Sequence, residues 1–318
     1  MKEEGKKMMT KTERIDAVLS GQKPDRDPIS CWYHFGTQYL PGEKYADIVF
    51  SFYEYYGFDW LKVMNDYFYP MPVGYDALKS VEDLKQLKPI EIDATPLHEQ
   101  LTAIDIINNR LKGEAYVCDT IFDPYQSLQK SPVGEYLPRL MKEEPQAVLD
   151  ALEIVTQNTI EYAKRTLALG THGIFMSILS GEDKISKQDF LVFEKPFAMK
   201  VFAAVKEMGP MNTAHLHGKH IDIDECLDFP VAVLSWEDRQ VGNPSLQEVK
   251  RKWSGAVMGG IDNTIMTRRT PEFLMKHTLE GIEMGGKSRF FLANGCSSPA
   301  EMDTYALKAI VDVAQQRR

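Results

Sequence analysis

The sequence predicts an α/β fold, namely a single-domain (β/α)8 TIM barrel that spans residues 1–318. Eight short runs rich in apolar and β-branched residues alternate along the chain with helical segments. Strands that are apolar on both faces are typical of a parallel sheet covered by helices, and eight such units form a barrel. An open doubly wound sheet is the alternative, but its GxGxxG fingerprint does not occur in the chain.

The first half of the predicted barrel contains four strands. A helical extension over residues 1–24 precedes them, with a helix in TKTERIDAVLSG that is capped by Thr10 or Thr12 and stops at Gly21. The four strands are predicted in PISCWYH (28–34), DWLKVMND (59–66), EAYVCDTIF (114–122) and HGIFMSI (172–178). The helices between them are predicted over 43–56, over 97–111 and as a pair within 135–169, with an insertion over 70–96.

The second half continues the same alternation. Its strands are predicted in MNTAHLH (211–217), VAVLSW (231–236), GAVMGGID (255–262) and RFFLAN (289–294). Its helices are predicted over 187–208, as a short helix through Ile223, and over 246–253, 271–284 and 299–315.

The composition excludes some classes of function. The chain is 43% apolar and 26% charged, as in an ordinary globular protein. A net charge of −9 without a basic cluster argues against a nucleic-acid partner. The N-terminal run MKEEGKKMMTKTER lacks the apolar core of a signal peptide, and no apolar run approaches membrane-spanning length. Four scattered cysteines then indicate reduced thiols, so the sequence predicts a soluble cytoplasmic protein.

Three residues form a candidate metal site: His215 and His217 in TAHLHG, and Cys296 in LANGCSSP. Side chains of residues i and i+2 share one face of a strand, so the two histidines should point the same way. Two imidazoles and one thiolate suit a zinc ion with one open position. The alternative is a pair of hydrogen-bonded core histidines. His220 should face solvent or begin a helix.

The carboxyl ends of barrel strands carry the active sites of TIM barrels, and this rule selects further candidates. Asp66 and Glu237 are the predicted catalytic residues, with a helix cap and a solvated loop carboxylate as their respective alternatives. The predicted substrate-binding residues, for which packing or a turn is the alternative role, are Trp32, Tyr33, His34, Asn65, Trp236 and Asp262. The same strand ends also carry Cys118, Asp119 and Ser177. Cys118 and Cys226 are most simply explained as small core residues.

Several motifs together resemble the uroporphyrinogen decarboxylase superfamily over nearly the whole chain. They are TKTERIDAVLSGQKPDRDP, YEYYGFDWLKVMNDYFYP with Asp66, KSVEDLKQLKP, ALGTHGIFMS, and GAVMGGIDN followed by RRTPEF. The resemblance implies a barrel with a deep cleft at the carboxyl ends of its strands. The superfamily includes dimers, so the resemblance is compatible with a homodimer.

The superfamily has two chemistries, and the resemblance favours one of them. True uroporphyrinogen decarboxylases of tetrapyrrole synthesis need no metal and hold their substrate with an arginine-rich N-terminal segment, whereas the corresponding CWYHFGTQY has no arginine. Asp66 nevertheless matches their aspartate. In the cobalamin-dependent methyltransferases a His-x-Cys pair and a distant Cys bind zinc. His215 matches the first of these ligands and Cys296 the last, whereas His217 stands where the pair has its Cys.

The resemblance therefore implies a zinc-dependent methyltransferase that works with a corrinoid protein on a small methylated substrate or thiol acceptor. With two neutral imidazoles and one thiolate, Zn²⁺ keeps a formal charge of +1, which favours polarising an ether or alcohol oxygen over activating a thiol. The alternatives are a metal-free uroporphyrinogen decarboxylase and a non-catalytic barrel that binds a corrinoid or its carrier protein.

Overall fold

The computed structural model describes residues 8–316 and contains eight parallel strands in one nearly closed barrel. The strands are β1 Ile29–Ser30, β2 Trp60–Val63, β3 Tyr116–Phe122, β4 Gly173–Leu179, β5 Thr213–His217, β6 Val233–Trp236, β7 Ala256–Ile261 and β8 Phe290–Asn294. Each strand from β2 to β7 pairs in parallel with the next, and β8 pairs in parallel with β1. The predicted single-domain (β/α)8 barrel is confirmed, and each of the eight predicted segments contains a strand.

Helices surround this barrel, and the larger of them agree with the sequence prediction. They are α1 Lys11–Leu19, α2 Gly42–Tyr56, α3 Val81–Leu84, α4 Leu97–Leu111, α5 Pro124–Lys130, α6 Leu137–Glu143, α7 Pro145–Ala168, α8 Lys187–Asp189, α9 Lys195–Val205, α10 Leu246–Lys252, α11 Pro271–Gly285 and α12 Thr304–Gln316. The Thr10 side chain caps α1 in a capping box with Glu13, as the sequence predicts for one of its two candidate caps.

The prediction of one continuous helix over 187–208 is wrong. It consists of α8, a π-helical turn Phe190–Glu194, and α9. Glu194 is fully buried at the junction, and its Oε1 accepts a hydrogen bond from the Leu179 N–H at the end of β4 (2.8 Å). The extra residue of the π turn allows this contact, which the helical periodicity of the sequence does not reveal.

The prediction for the last helix is also wrong, because α12 begins five residues later than residue 299. The chain before it continues the pairing of the barrel instead. The Ser298 N–H donates to the Trp32 carbonyl (3.0 Å), and Tyr33 and Ser298 form a parallel bridge beyond β1 and β8. This pairing keeps the segment extended until the chain has left the barrel rim.

The seam between β1 and β2 is closed by Asp59, which lies just before β2. Its N–H donates to the Ile29 carbonyl (2.9 Å), and its Oδ2 accepts from the Ile29 N–H (2.9 Å). Arg14 and Arg26 both donate to the same carboxylate, at 2.6–2.9 Å. A fully buried carboxylate is stable here because two guanidinium groups and a backbone N–H satisfy its charge.

Two predicted segments lie beside this barrel. Of the helical extension predicted over 1–24, residues 1–7 lie outside the described part of the chain, and the rest contains α1. The insertion predicted over 70–96 contains α3 and a 3-10 turn Ile92–Ala94, and its status as an insertion stays a prediction. Among the described residues, no helix combines the length and apolarity that crossing a membrane requires.

Candidate active site

The predicted metal ligands His215 and His217 both lie on β5 and face the barrel interior. His215 is buried, and its Nδ1 lies 3.2 Å from the hydroxyl oxygen of Ser235 on β6. The ring of His215 packs against Phe175 of β4 at a centroid distance of 5.5 Å, and the His217 ring lies 6.1 Å away. The shared strand face therefore brings both imidazoles to the carboxyl end of the barrel, as the i and i+2 spacing predicts.

The third predicted ligand, Cys296, follows β8 and turns toward β5. Asn294 orders this turn, because its Nδ2 donates to the carbonyls of Cys296 (2.6 Å) and Trp32 (2.9 Å). The Cys296 Sγ then lies 3.6 Å from the His217 Nδ1. One donor atom from each of the three residues lies within 4.8 Å of the other two.

This donor set fits a zinc ion in distance and in chemistry. Tetrahedral bonds of about 2.0–2.3 Å separate neighbouring ligand atoms by roughly 3.3–3.8 Å. The 3.6 Å between Cys296 Sγ and His217 Nδ1 falls in this range, and all three donor atoms lie within 4.8 Å of one another. Burial lowers the pKa of His215 well below its usual value and that of His217 to about 4, so both imidazoles are neutral at pH 7. Burial raises the pKa of Cys296 to about 11, so the thiol must lose its proton when a metal binds.

Glu237, a predicted catalytic residue, lies directly after β6 beside this cluster. It is half-buried, and its carboxylate interacts electrostatically with Cys296. Burial raises the pKa of Glu237, and the neighbouring charge of Asp262 adds to the rise. Gly295 permits this approach, since a Cβ at that position would come within 2.8 Å of the Glu237 Cα. The carboxylate can therefore serve as a proton donor or acceptor next to the metal ligands.

The other predicted catalytic residue, Asp66, lines a cavity of about 330 Å³ at the ends of β2 and β3. Predicted substrate-binding residues His34 and Asn65 line the same cavity, together with Lys130 and Tyr162. The His34 Nδ1 lies 2.5 Å from Asp66 Oδ1. Burial raises the pKa of Asp66, but the hydrogen bond and charge of His34 outweigh it, and the net pKa is lowered. The three metal ligands do not line this cavity.

The remaining predicted residues divide between the barrel interior and other parts of the fold. Trp32 lies inside the barrel against Phe175, with ring centroids 5.2 Å apart. Tyr33 instead packs against aromatic rings of α2 and the β1–α2 loop. Trp236 is fully buried in the layer between strands and helices, and its indole N–H donates to the Pro244 carbonyl (2.8 Å). The structure therefore does not bring Tyr33 or Trp236 to the mouth.

Asp262 holds a turn in the described structure. Its Oδ1 accepts hydrogen bonds from the Thr264 N–H (2.8 Å), the Thr264 hydroxyl (2.7 Å) and the Gln240 side chain (3.0 Å). These bonds match the turn role that is the alternative prediction for this residue. Ser177, by contrast, is paired in register with His215 and lies beside it on β4. His220 is exposed, as predicted.

Two charged groups lie beneath the cavity, Lys62 and Asp119. Sequence reasoning misses Lys62, whereas Asp119 is one of the strand-end candidates, without a role assigned to it. Lys62 lies inside the barrel on β2, and burial lowers its pKa to about 7. Asp119 on β3 accepts hydrogen bonds from Gln100 (3.0 Å) and Tyr162 (2.8 Å), and burial raises its pKa to about 7. The signal for Lys62 is a single charge inside the apolar run WLKVM, a pattern that by itself predicts only a strand.

The fold and the site together define a (β/α)8 barrel protein with a candidate metal centre among the carboxyl ends of its strands. The model of the uroporphyrinogen decarboxylase (URO-D) family matches residues 10–317, and the chain belongs to that family. The predicted family relationship is thereby confirmed. Membership in this family of enzymes supports the prediction that the chain is an enzyme.

Solved structures share the fold at low sequence identity. A methyltransferase from Methanosarcina mazei superposes with a TM-score of 0.82 at 16% identity, over 97% of this chain and 99% of that one. A B12-independent methionine synthase from Shewanella sp. gives a TM-score of 0.50 at 10% identity, over 68% of this chain and 64% of that one. No curated protein sequence matches the chain. At these identities the likeness concerns the fold alone.

Proposed function

We propose that this chain is a zinc-dependent methyltransferase that works with a corrinoid protein on a small methylated substrate or a thiol acceptor. The observation that carries the proposal is the group of His215, His217 and Cys296, whose donor atoms lie within 4.8 Å of one another. Membership in the URO-D family and the fold of the Methanosarcina mazei methyltransferase are consistent with it. A cytoplasmic location and a homodimer belong to the same proposal.

The side chains at the mouth have distinct parts in this chemistry. Ser235 orients the His215 imidazole through its hydroxyl, and the Asn294 amide orders the Cys296 turn. A zinc ion held by the three ligands, with a formal charge of +1, would lower the pKa of a coordinated thiol or polarise a methoxy oxygen. Glu237 can exchange a proton with a ligand beside the metal, because its raised pKa favours the protonated form.

Asp66 has a different character. Its lowered pKa keeps it ionised, and it holds His34 and the Gly36 N–H (3.1 Å) at the cavity entrance. This arrangement suits the orientation of a substrate better than proton transfer, because both carboxylate oxygens already accept hydrogen bonds.

A metal-free uroporphyrinogen decarboxylase is the alternative, and Asp66 at the cavity is the observation that favours it. Against it, such a substrate carries many carboxylates, and no arginine lines the described cavity. The segment CWYHFGTQY, at residues 31–39, supplies none either.

Zinc analysis of the purified full-length chain tests the proposal. We expect about one zinc per chain and its loss from His215→Ala and from Cys296→Ser, because removing one ligand of three leaves the ion weakly held. His98→Ala is the matched control, since His98 is exposed and far along the chain from the ligands. Methyl transfer from methylcobalamin to 2-mercaptoethanol, followed by corrinoid absorbance, should fall in parallel with the zinc content.

Four outcomes contradict the proposal. The chain could fail to bind zinc even after reconstitution, or the two ligand variants could keep both zinc and activity. Decarboxylation of a uroporphyrinogen by the metal-free chain would establish the alternative enzyme. Binding of a corrinoid protein without any turnover would favour a non-catalytic barrel.

A further inference from the structure

The Lys62 ammonium is a buried charge that the chemistry above does not use. The side chain is 5% exposed and faces the barrel interior. Its Nζ donates to the thioether of Met64 (2.8 Å) and lies over two rings, 5.0 Å from the centroid of Trp32 and 4.5 Å from that of Phe175. Within residues 8–316 Lys62 takes part in no ion pair. A thioether is a weak acceptor and ring faces compensate a charge only in part, so the ammonium lacks a strong partner.

The two carboxylates that interact electrostatically with Lys62 already accept hydrogen bonds from other groups. Asp66 and Asp119 interact with the ammonium electrostatically, but neither forms a salt bridge with it. Both oxygens of Asp66 accept hydrogen bonds from His34 and the Gly36 N–H. Both oxygens of Asp119 accept hydrogen bonds from Gln100 and Tyr162. Burial lowers the pKa of Lys62 to about 7, so the amine is partly protonated at neutral pH, and among the described residues neither of these carboxylates forms an ion pair with it.

Lys62 lies close to the candidate metal centre. Its Nζ and the His215 ring both contact the Phe175 ring, at 4.5 and 5.5 Å respectively. Lys62 and Cys296 are also near enough for a charge on one to act on the other. Met64, which covers the ammonium, has a flexible unbranched side chain and can move aside for a better acceptor.

We infer that Lys62 forms an anion-binding site in the barrel interior, beneath the barrel mouth, and that the small ligand of this barrel carries a carboxylate or a similar oxyanion group. The inference deepens the proposed function and rests on it for the neighbouring metal. A carboxylate would accept hydrogen bonds from two of the three ammonium N–H groups and supply the missing counter-charge. Its reactive end would then reach toward His215 and Cys296 across the Phe175 ring.

Propionate is a suitable probe, because it offers a carboxylate and no thiol or methoxy group. Calorimetric titration of the metal-free full-length chain should detect propionate binding, and Lys62→Met should weaken it about tenfold or more, as expected for a lost charged hydrogen bond. The Met side chain matches the lysine stem in length and suits the apolar surroundings. Lys164→Met, at an exposed position of α7, is the matched control and should bind propionate like the wild type.

A second probe separates the carboxylate from a thiolate as the source of negative charge. 2-Mercaptoethanol, added to the zinc-loaded chain, should bind equally well to the wild type and to Lys62→Met. If instead the binding of 2-mercaptoethanol depends on Lys62 and the binding of propionate does not, the anionic partner of Lys62 is a thiolate and the inference is wrong. No propionate binding by the wild type, or equal binding by Lys62→Met, also overturns it.

Should Lys62→Met fail to fold, the wild type still gives a test. Saturating propionate should slow the reductive methylation of Lys62, located by mass spectrometry, and leave that of Lys164 unchanged. If propionate does not slow the methylation of Lys62, or slows that of both lysines equally, the site is refuted. Zinc content of the same samples keeps the two proposals apart. Lys62→Met should retain zinc while losing propionate, whereas Cys296→Ser should lose zinc while retaining propionate.

Discussion

Replacing Asp59 with asparagine should destabilise the barrel strongly, because this carboxylate joins its first and second strands. The Asp59 side chain is fully buried and accepts hydrogen bonds from Arg14 (2.7 Å), from Arg26 (2.6 and 2.9 Å) and from the Ile29 N–H (2.9 Å). Asparagine has nearly the same shape, so the change removes charge with little change in packing.

The magnitude follows from the charges that remain. In the wild type, two guanidinium groups face two carboxylates, those of Asp59 and Asp25, and the cluster is neutral. The substitution leaves a net charge of +1 on buried side chains, of which Arg14 is only 3% exposed. Loss of one partner of a buried ion pair costs about 3–5 kcal/mol. That is a large part of the about 5–15 kcal/mol that stabilises a typical folded domain.

Urea unfolding followed by circular dichroism measures this loss as a lower midpoint at constant slope. Asp47→Asn is the matched control, because Asp47 pairs with Arg110 at 2.6 Å but is about half exposed. Surface pairs contribute little, so the control should unfold almost like the wild type. If Asp59→Asn is no less stable than Asp47→Asn, the argument that Asp59 closes the barrel is refuted.

Three further predictions concern pH, packing and metal binding. Burial raises the pKa of Asp119 to about 7, above its unfolded value, so the wild type should lose up to about 4 kcal/mol of stability as the pH rises from about 4 to 7. Asp119→Asn should remove this loss, because asparagine does not titrate, and its amide can donate a hydrogen bond to the unpaired Gln100 Oε1. Urea midpoints measured at several pH values test this, and midpoints that change in parallel for both proteins would contradict it. Gly281→Ala should lower the free energy of unfolding by about 1–3 kcal/mol, because the new Cβ would lie 2.3 Å from the Gly260 carbonyl oxygen. An unchanged melting temperature would show instead that α11 can shift to make room. Binding of one zinc at pH 7.5 should release about one proton, because the Cys296 thiol has a pKa of about 11; calorimetry in buffers of different ionisation enthalpy measures it, and zero release would mean that the thiol is no ligand.

The sequence predicts the elements of this fold well where local signals are strong. Apolar runs locate all eight strands, and Thr10 locates the start of α1. Helix α5 was not predicted, although Asp123 at its N-cap and Pro124 at its first position are both helix-start signals. The π turn before α9 left no local pattern, because it results from the buried contact between Glu194 and β4.

The candidate site shows the same division. The i and i+2 spacing of His215 and His217, and the position of Cys296 after a predicted strand, suffice to predict a shared location at the barrel mouth. Trp236 lies on the same strand end but faces outward, because side chains alternate between the two faces of a strand and a shift of one residue reverses the direction. The apolar run VAVLSW does not show which of its residues face inward, so the register of β6 could not be predicted.

The (β/α)8 barrel, the family and a candidate set of three metal ligands could be predicted from the chain alone, because periodicity, strand order and motifs are local properties of the sequence. Tertiary structure alone decided that the donor atoms of His215, His217 and Cys296 lie within 4.8 Å of one another. It also decided that Lys62 is buried near them, with no ion-pair partner among the described residues. Distances and burial depend on strands that are far apart in sequence, and closure of the barrel brings these strands together.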